Sequence, residues 1–256
     1  MRRLFSETSL VPARPAPAKP EQQVLPWKED RTFANFLVGG SNNFAHQVSR
    51  TFAEGEGPST IVLYGLPGVG KTHLLNAIAE HLRARGEDGV EVLSAERFLN
   101  EVISCMRFGR MSEFREKYRN QKQRMFILDG VEVFVGKEKS GLELAQTLEF
   151  LNQQHDCRVA IAASDLPVRL GLPSRLAALL VGALSVPVHA PDKEMRSALL
   201  VQKCAERGVE LPPSVSDYMA TRVPGFRQVE SVVRRLVAQV QFDNHPFFAD
   251  RSRERL

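Results

Sequence analysis

A glycine-rich loop between an apolar segment and a helical pattern constrains this chain more than any other feature. Ile61, Val62 and Leu63 predict a short buried strand, and the following residues, Gly65–Thr72, match the pattern G-x-x-x-x-G-K-[ST]. Glycines let such a loop curl until its N–H groups point at an anion. Apolar residues then recur at helical spacing, so the loop leads into a helix whose N-terminus also favours phosphate. The pattern predicts a nucleotide-binding α/β fold.

The side chains at the end of this loop have expected roles. Lys71 supplies positive charge for the β- and γ-phosphates, and the hydroxyl of Thr72 supplies a ligand for Mg²⁺. The cofactor expected on this basis is ATP or ADP with Mg²⁺. The residues of the loop predicted to bind it are Gly65, Pro67, Gly68, Val69, Gly70, Lys71, Thr72 and His73.

Composition limits the class of protein. The chain has 256 residues, 43% of them hydrophobic, which is enough for one sizeable core or for a core with a small second domain. A net charge of +4 is mildly basic, which permits a nucleic-acid partner without requiring one. Three widely spaced cysteines favour a reducing, cytoplasmic compartment. No apolar run approaches the roughly 20 residues that span a bilayer, and the N-terminus has no secretory signal.

The order of apolar segments divides the chain into three parts. Residues 1–28 are rich in proline and alanine, which predicts a disordered tail. Residues 29–190 alternate strands with helices, and the strands are apolar on both faces, which predicts an α/β core with a five-stranded parallel sheet. Residues 191–256 contain three helical patterns and a frayed C-terminus, which predicts a small α-helical lid domain. The predicted strands are 61–63, 90–93, 125–128, 159–163 and 184–188, and the helices include 95–107, 111–118 and 142–153.

Polar side chains at the ends of the strands are the next candidates, since sites in parallel sheets lie there. Asp129 closes an apolar strand in the position of the second acidic element of P-loop NTPases, so it is a predicted Mg²⁺ ligand. The next residue is Gly130 rather than an acid that orients the attacking water, and Glu132 lies two positions further on. Nucleotide binding is therefore expected, and the sequence leaves hydrolysis undecided. Ser164 and Asp165 end another strand, in a position to contact the γ-phosphate region.

Two arginines are candidates for phosphate contacts outside the loop. Arg175 begins a helix far from the P-loop in sequence, where an arginine of a P-loop ATPase can reach the nucleotide of a neighbouring subunit. Arg227 opens the last long helix of the lid, in a position to fold over the phosphates. A surface arginine without such a role is the alternative for both.

Taken together, these segments resemble the AAA+ module of the bacterial DnaA/Hda family. The resemblance covers residues 31–242 and includes an entry motif at residues 32–36 with 41–42. Its most specific parts are two initiator-specific helices containing residues 94–98 and 113–119. It implies that Asp129 is the Walker B acid, Asp165 is sensor 1, Arg175 is the arginine finger and Arg227 is sensor 2.

The resemblance also implies contact with single-stranded DNA. In initiators, a valine of the first specific helix and two basic residues after Walker B make this contact. The matching positions here are Ile103, Lys137 and Lys139, which keep the chemical type. Stacking and phosphate interactions along a homo- or hetero-oligomer are therefore expected.

A clamp-binding peptide is implied in the tail. Hda-like proteins carry a short N-terminal peptide of the form Gln-x-x-Leu-Pro-apolar that binds the DNA polymerase sliding clamp. Its match here consists of Gln22, Leu25, Pro26 and Trp27. The alternative is that Trp27 packs onto the domain that begins beside it.

Two departures from the initiator pattern shape the functional expectation. No helix-turn-helix domain follows the lid in this sequence, so reading of duplex origin sequence is not expected. Gly130 replaces the second acid of the initiator's Asp-Asp pair, and Hda-like proteins also lack that acid. The specific helices, in contrast, are more similar to those of an initiator.

The favoured hypothesis is an Hda-like regulator of chromosomal replication initiation. Docked on the clamp, it would promote hydrolysis of ATP bound to a DnaA-type initiator through Arg175, while its own site holds ADP. One alternative is a DnaA-related assembly protein that binds single-stranded DNA or loads a helicase. Another is an inactive paralogue that assembles with the initiator and blocks it.

Overall fold

The alternating apolar segments form the parallel sheet that the sequence predicts. The computed structural model describes residues 31–87, 90, 92–119, 124–154, 157–223 and 225–243, so the predicted clamp peptide lies outside the described residues. Within them, five parallel strands pair in the order β2-β3-β4-β1-β5. The strands are β1 (Thr60–Tyr64), β2 (Val92–Ser94), β3 (Met125–Asp129), β4 (Arg158–Ala163) and β5 (Leu184–Pro187).

Helices follow the strands as expected for an α/β fold, and three more follow the last strand. In the described part of the chain they are α1 (Asn43–Ala53), α2 (Lys71–Ala84), α3 (Ala95–Arg107), α4 (Met111–Tyr118), α5 (Glu138–Asn152), α6 (Ser174–Val181), α7 (Lys193–Ala205), α8 (Pro213–Arg222) and α9 (Phe226–Asp243). Short 3₁₀ helices lie at Val131–Phe134 and Pro167–Arg169. None of the helices in this part of the chain has both the length and the hydropathy needed to cross a bilayer.

Among the ranges predicted above, two differ from the observed elements by more than one residue, for identifiable reasons. Strand β2 covers Val92–Ser94 rather than residues 90–93, because its pairing with β3 extends only over these positions. Helix α5 begins at Glu138, a turn before the predicted residue 142. The sequence pattern missed this first turn because the turn is polar and carries no apolar periodicity. Gly141 lies in that turn, where a Cβ would come within 2.5 Å of the Pro173 ring. The glycine therefore reflects close packing against the chain before α6, not a helix boundary.

The sheet separates two of the apolar clusters that the described residues form. Successive side chains of a strand point to opposite faces. On β3, Phe126 and Leu128 belong to the cluster under α3–α6, whereas Ile127 belongs to the cluster under α1 and α2. Phe98 lies at the centre of the first cluster and is fully buried. Its ring centroid lies 4.9–6.2 Å from those of Phe114, Tyr118, Phe126 and Phe134.

The three helices after β5 have an apolar cluster of their own. It consists mainly of small and branched side chains, including Leu200, Cys204, Val229 and Val233. The chain from Arg31 onward is nevertheless one compact unit, so this helical part and the sheet are in direct contact. The division at residues 190 and 191 into core and lid stays a prediction, and "lid" is used below for α7–α9.

A strap formed by residues 32–42 connects the sheet side with the lid. Phe36 belongs to the cluster under α1 and α2, whereas the next residue, Leu37, packs against the lid cluster. Gly39 lies against α7, since a Cβ on it would lie 2.3 Å from Sδ of Met195. Asn42, fully buried at the start of α1, accepts the Gly39 N–H at 2.9 Å and donates to the Leu37 carbonyl at 2.9 Å. Its side chain thus fixes the strap rather than capping the helix.

Candidate nucleotide-binding site

The P-loop backbone requires glycine at the positions that the motif predicts. Gly65, Gly68 and Gly70 have φ values of 152°, 85° and 112°, which L side chains rarely adopt. A Cβ on Gly65 would also lie 2.2 Å from the carbonyl oxygen of Val188. Val69 is buried among the core side chains between β1 and α2. The loop is therefore anchored at Gly65 beside the end of β5 and at Val69 in the core, while Leu66 and Pro67 are exposed.

Two hard oxygen donors converge beside the loop. Thr72, in the first turn of α2, donates its hydroxyl to Oδ2 of Asp129 at 2.7 Å. Asp129 is the last residue of β3, so its carboxylate projects beyond the edge where the parallel strands end. Hydroxyl and carboxylate oxygens are the ligands that Mg²⁺ prefers. The structure thus brings together the pair that the sequence predicts as Mg²⁺ ligands, and the donor set fits that ion.

The ammonium of Lys71 lies over the P-loop. Nζ of Lys71 donates to the Leu66 carbonyl at 2.9 Å and to the carbonyl of Gly65. These bonds place the ammonium against the same loop whose N–H groups would face a phosphate. The following residue, His73, has its Nε2 2.9 Å from the Thr32 carbonyl oxygen, and its ring meets Phe36 edge-on at 5.1 Å. His73 therefore ties the loop helix to the strap.

The side chain of Glu132, whose position the sequence did not define, also lies at the edge where the parallel strands end. Gly130 has φ of 89° and turns the chain out of β3 into the 3₁₀ helix Val131–Phe134. The turn brings Glu132 back toward the sheet, where its Oε2 accepts the N–H of Ser164 at 3.1 Å. A strand-based interpretation could not locate this carboxylate, because the strand ends at Asp129. The signal available in the sequence was a glycine, Gly130, directly after an apolar strand, which favours a turn.

The two residues assigned to phosphate sensing lie in different surroundings. Asp165 accepts the N–H of Leu166 at 2.7 Å and lies 3.9 Å from Nη1 of Arg169, so its carboxylate stabilises the following 3₁₀ turn. Arg227 is the second residue of α9, and its side chain lies outside the described residues. The start of α9 does approach the P-loop, because a Cβ on Gly225 would lie 3.8 Å from the Gly68 carbonyl oxygen. Both sensor roles stay predictions.

Arg175 is held by a partner in its own chain. It lies in the first turn of α6, where its Nε donates to Oε1 of Glu149 at 2.7 Å and its Nη2 donates to Oε2. Hydrogen bonding to Glu149 raises the pKa of this guanidinium. About half of the Arg175 side chain is exposed. The predicted arginine finger therefore faces solvent in a two-pronged ion pair with α5.

The residues predicted to contact DNA lie on another surface. Ile103 of α3 is 47% exposed, and the exposed Lys137 and Lys139 flank the start of α5. Helix α3 contacts both the 3₁₀ helix at Val131–Phe134 and α5, so the segments carrying these side chains are neighbours. Phe108, which sequence reasoning missed, ends this surface with 63% of its surface exposed. Its ring lies 5.7 Å from the guanidinium carbons of Arg107 and Arg110.

Comparison with known sequences agrees with this geometry. The family described as the bacterial DnaA ATPase domain matches residues 27–186. The chromosomal replication initiator protein DnaA of Psychromonas ingrahamii is 30% identical to this chain over an alignment of 266 positions. The alignment covers 94% of this chain and 57% of that protein. The chain therefore spans a little over half the length of this curated relative.

Solved DnaA structures share the fold. Domain III of the Thermotoga maritima replication initiation protein DnaA has a TM-score of 0.76 at 29% identity, covering 86% of this chain and 92% of that one. Replication initiator DnaA bound to AMPPCP and single-stranded DNA has a TM-score of 0.74 at 26% identity, covering 84% of this chain and 68% of that one. With the family match extending over more than half of its residues, the chain belongs to the bacterial DnaA ATPase-domain family of AAA+ proteins.

Proposed function

We propose that this protein binds ATP or ADP with Mg²⁺ and regulates the initiation of chromosomal replication. The observation that carries the nucleotide part is the 2.7 Å contact between Thr72 and Asp129 beside a loop whose glycines have positive φ. Family membership supports it, since a DnaA of the same fold binds AMPPCP. The regulatory part rests on the family and on the exposed position of Arg175.

The chain's own residues have separable tasks in nucleotide binding. The loop N–H groups and Lys71 bind phosphate oxygens, and the N-terminus of α2 adds its dipole. Thr72 and Asp129 would hold Mg²⁺, which neutralises phosphate charge when bound. The start of α9 lies beside the loop, so the lid is close enough to contribute side chains to that side of the site.

Arg175 supports action on a second protein. An exposed ion pair stabilises the fold only weakly, so Arg175 can exchange Glu149 for phosphate oxygens of a nucleotide on a neighbouring protomer. An arginine supplied in this way can raise the rate of phosphoryl transfer by about 10³–10⁵. We propose a DnaA-type initiator as the neighbour and the sliding clamp as the platform, with the clamp bound by Gln22, Leu25, Pro26 and Trp27.

We expect the variant Arg175→Ala to abolish stimulation of initiator ATP hydrolysis. The measurement is phosphate release by a DnaA-type initiator with DNA-loaded clamp and this protein, in wild-type and variant forms. Leu25→Ala should abolish the same stimulation by releasing the protein from the clamp. The matched control is Arg50→Ala, which removes another exposed arginine paired with a glutamate, Glu54. Unchanged stimulation by Arg175→Ala would rule out the arginine-finger role.

A second function, binding of single-stranded DNA, is favoured by a specific surface. Ile103, Met106 and Phe108 are exposed on the last turns of α3 and just beyond, and arginines flank the Phe108 ring. Lys137 and Lys139 lie at the N-terminus of α5, where the helix dipole disfavours cations. The two lysines do not stabilise their helix at this position, which favours a role in binding phosphates. The exposed apolar side chains nearby are suited to stacking against bases. A related DnaA structure contains single-stranded DNA.

We expect Phe108→Ala to weaken binding to an oligothymidine strand by about 5- to 150-fold, since stacking on one aromatic ring contributes about 1–3 kcal/mol. Fluorescence anisotropy with ATP present measures this affinity. The control is Tyr218→Ala, which removes an equally exposed aromatic ring next to Arg222 on the lid. Equal effects of the two variants, or none, would contradict the proposed DNA surface.

A further inference from the structure

The acid expected after the Walker B aspartate is missing from its usual position. Gly130 follows Asp129 with φ of 89°, a conformation that favours glycine, and a Cβ there would meet no atom within 4 Å. The space beside Asp129 is therefore open, and no side chain from position 130 projects into it. Hydrolysis of nucleotide in this site therefore needs a side chain from elsewhere to orient the water, and a carboxylate can also accept its proton.

Glu132 places a carboxylate at this edge by another route. Its Oε2 accepts the N–H of Ser164 at 3.1 Å, and the residue is partly buried. Ser164 directly follows Ala163, whose carbonyl accepts the N–H of Gly65, the first glycine of the P-loop. In the neighbouring pairing, Asp129 lies opposite Ala162. The Glu132 carboxylate thus lies at the end of β4. Strand β3, which ends in Asp129, is on one side of β4, and β1, which leads into the P-loop, is on the other.

We propose that Glu132 is the catalytic carboxylate of this chain's own nucleotide site, in place of the residue missing at position 130. The inference rests on the proposed binding of ATP. Glu132 orients a water molecule and accepts its proton as the water oxygen bonds to the γ-phosphorus. The bond from that phosphorus to the β,γ-bridging oxygen breaks, its electron pair leaves with ADP, and the proton passes to solvent. The products are ADP and inorganic phosphate.

The held oxygen also explains how Glu132 is positioned. The Ser164 N–H fixes Oε2, and within the described residues this is the hydrogen bond found for the Glu132 side chain. Oε1 therefore has lone pairs available for a water molecule. A carboxylate fixed through one oxygen loses little conformational freedom on binding that water, which is the preorganisation that proton transfer needs.

The test is Glu132→Gln, which removes the charge but keeps an oxygen that can accept from Ser164. We expect phosphate release from Mg·ATP to fall about 100-fold or more, while affinity for a fluorescent ATP analogue stays within about twofold. Glu113→Gln, an exposed glutamate of α4, is the control and should hydrolyse ATP at the wild-type rate.

Each outcome separates this inference from the proposed nucleotide binding. Hydrolysis by Glu132→Gln at the wild-type rate overturns the inference, as does a wild-type protein that binds ATP without hydrolysing it. A wild-type protein that fails to bind ATP overturns the proposed function itself. If Glu132→Gln does not fold, Glu132→Asp keeps the charge and retracts it, so reduced hydrolysis at unchanged affinity is then the expected result and unchanged hydrolysis overturns the inference.

Discussion

Replacing Phe98 with alanine is expected to lower the free energy of unfolding by about 3–5 kcal/mol. The ring is fully buried and contacts four other aromatic rings, contributed by α4, β3 and the 3₁₀ helix at Val131–Phe134. Removing it leaves a cavity where these elements meet α3. The loss is a large share of the roughly 5–15 kcal/mol that keeps a domain folded. Urea unfolding followed by circular dichroism measures it.

Phe108 provides the matched control for this variant. It lies ten residues further along the chain, just after α3, and is 63% exposed. Phe108→Ala should change the free energy of unfolding by no more than about 0.5 kcal/mol, as surface substitutions usually do. If the two variants unfold at similar urea concentrations, Phe98 does not hold α3 and α4 on the sheet as described.

The second large effect concerns nucleotide affinity, which Lys71→Ala is expected to weaken by at least about a hundredfold. The variant loses the ammonium held over the P-loop. Two hydrogen bonds from a charged group to phosphate contribute about 1.5–3 kcal/mol each, which together correspond to a factor of this size. Titration with a fluorescent ATP analogue measures the change directly. The rise in melting temperature that ATP gives the wild-type protein should also disappear at the same ATP concentration.

Lys117→Ala is the control for the loss of a lysine. Its ammonium is held by Glu101, on the surface formed by α3 and α4. ATP affinity should stay at the wild-type value in this variant. Retention of affinity in Lys71→Ala would mean that the loop backbone alone binds the phosphates, contrary to the role assigned to the charge.

Local sequence pattern predicted the sheet because its strands are short continuous apolar runs, and it predicted most helices because their apolar residues recur at helical spacing. The predicted helices 95–107 and 111–118 have the same bounds as α3 and α4. The residues of the P-loop are consecutive in sequence, so the motif alone predicts which of them bind phosphate. Pattern failed where a boundary has no periodicity, as at the polar first turn of α5.

Contacts between distant residues were beyond the reach of the sequence alone. Glu132 and Ser164 are 32 positions apart, and Arg175 and Glu149 are 26 apart. Neither pairing has a spacing that a single element would impose. Each arises because sheet topology brings the ends of different elements together. The strap shows the same limit, since Phe36 and Leu37 are adjacent in sequence yet pack into different clusters.

The strap gives the molecule a mechanical property that neither cluster has alone. Phe36 lies against the P-loop, where a Cβ on Gly70 would come within 3.0 Å of its ring, while Gly39 lies against Met195 of the lid. The backbone between them cannot extend beyond about 3.5 Å per residue, and Asn42 fixes its curvature. Only three residue steps therefore separate the contact with the P-loop from the contact with the lid. The two cannot move far apart without breaking one of these contacts, so the position of α7 is linked to that of the phosphate-binding loop.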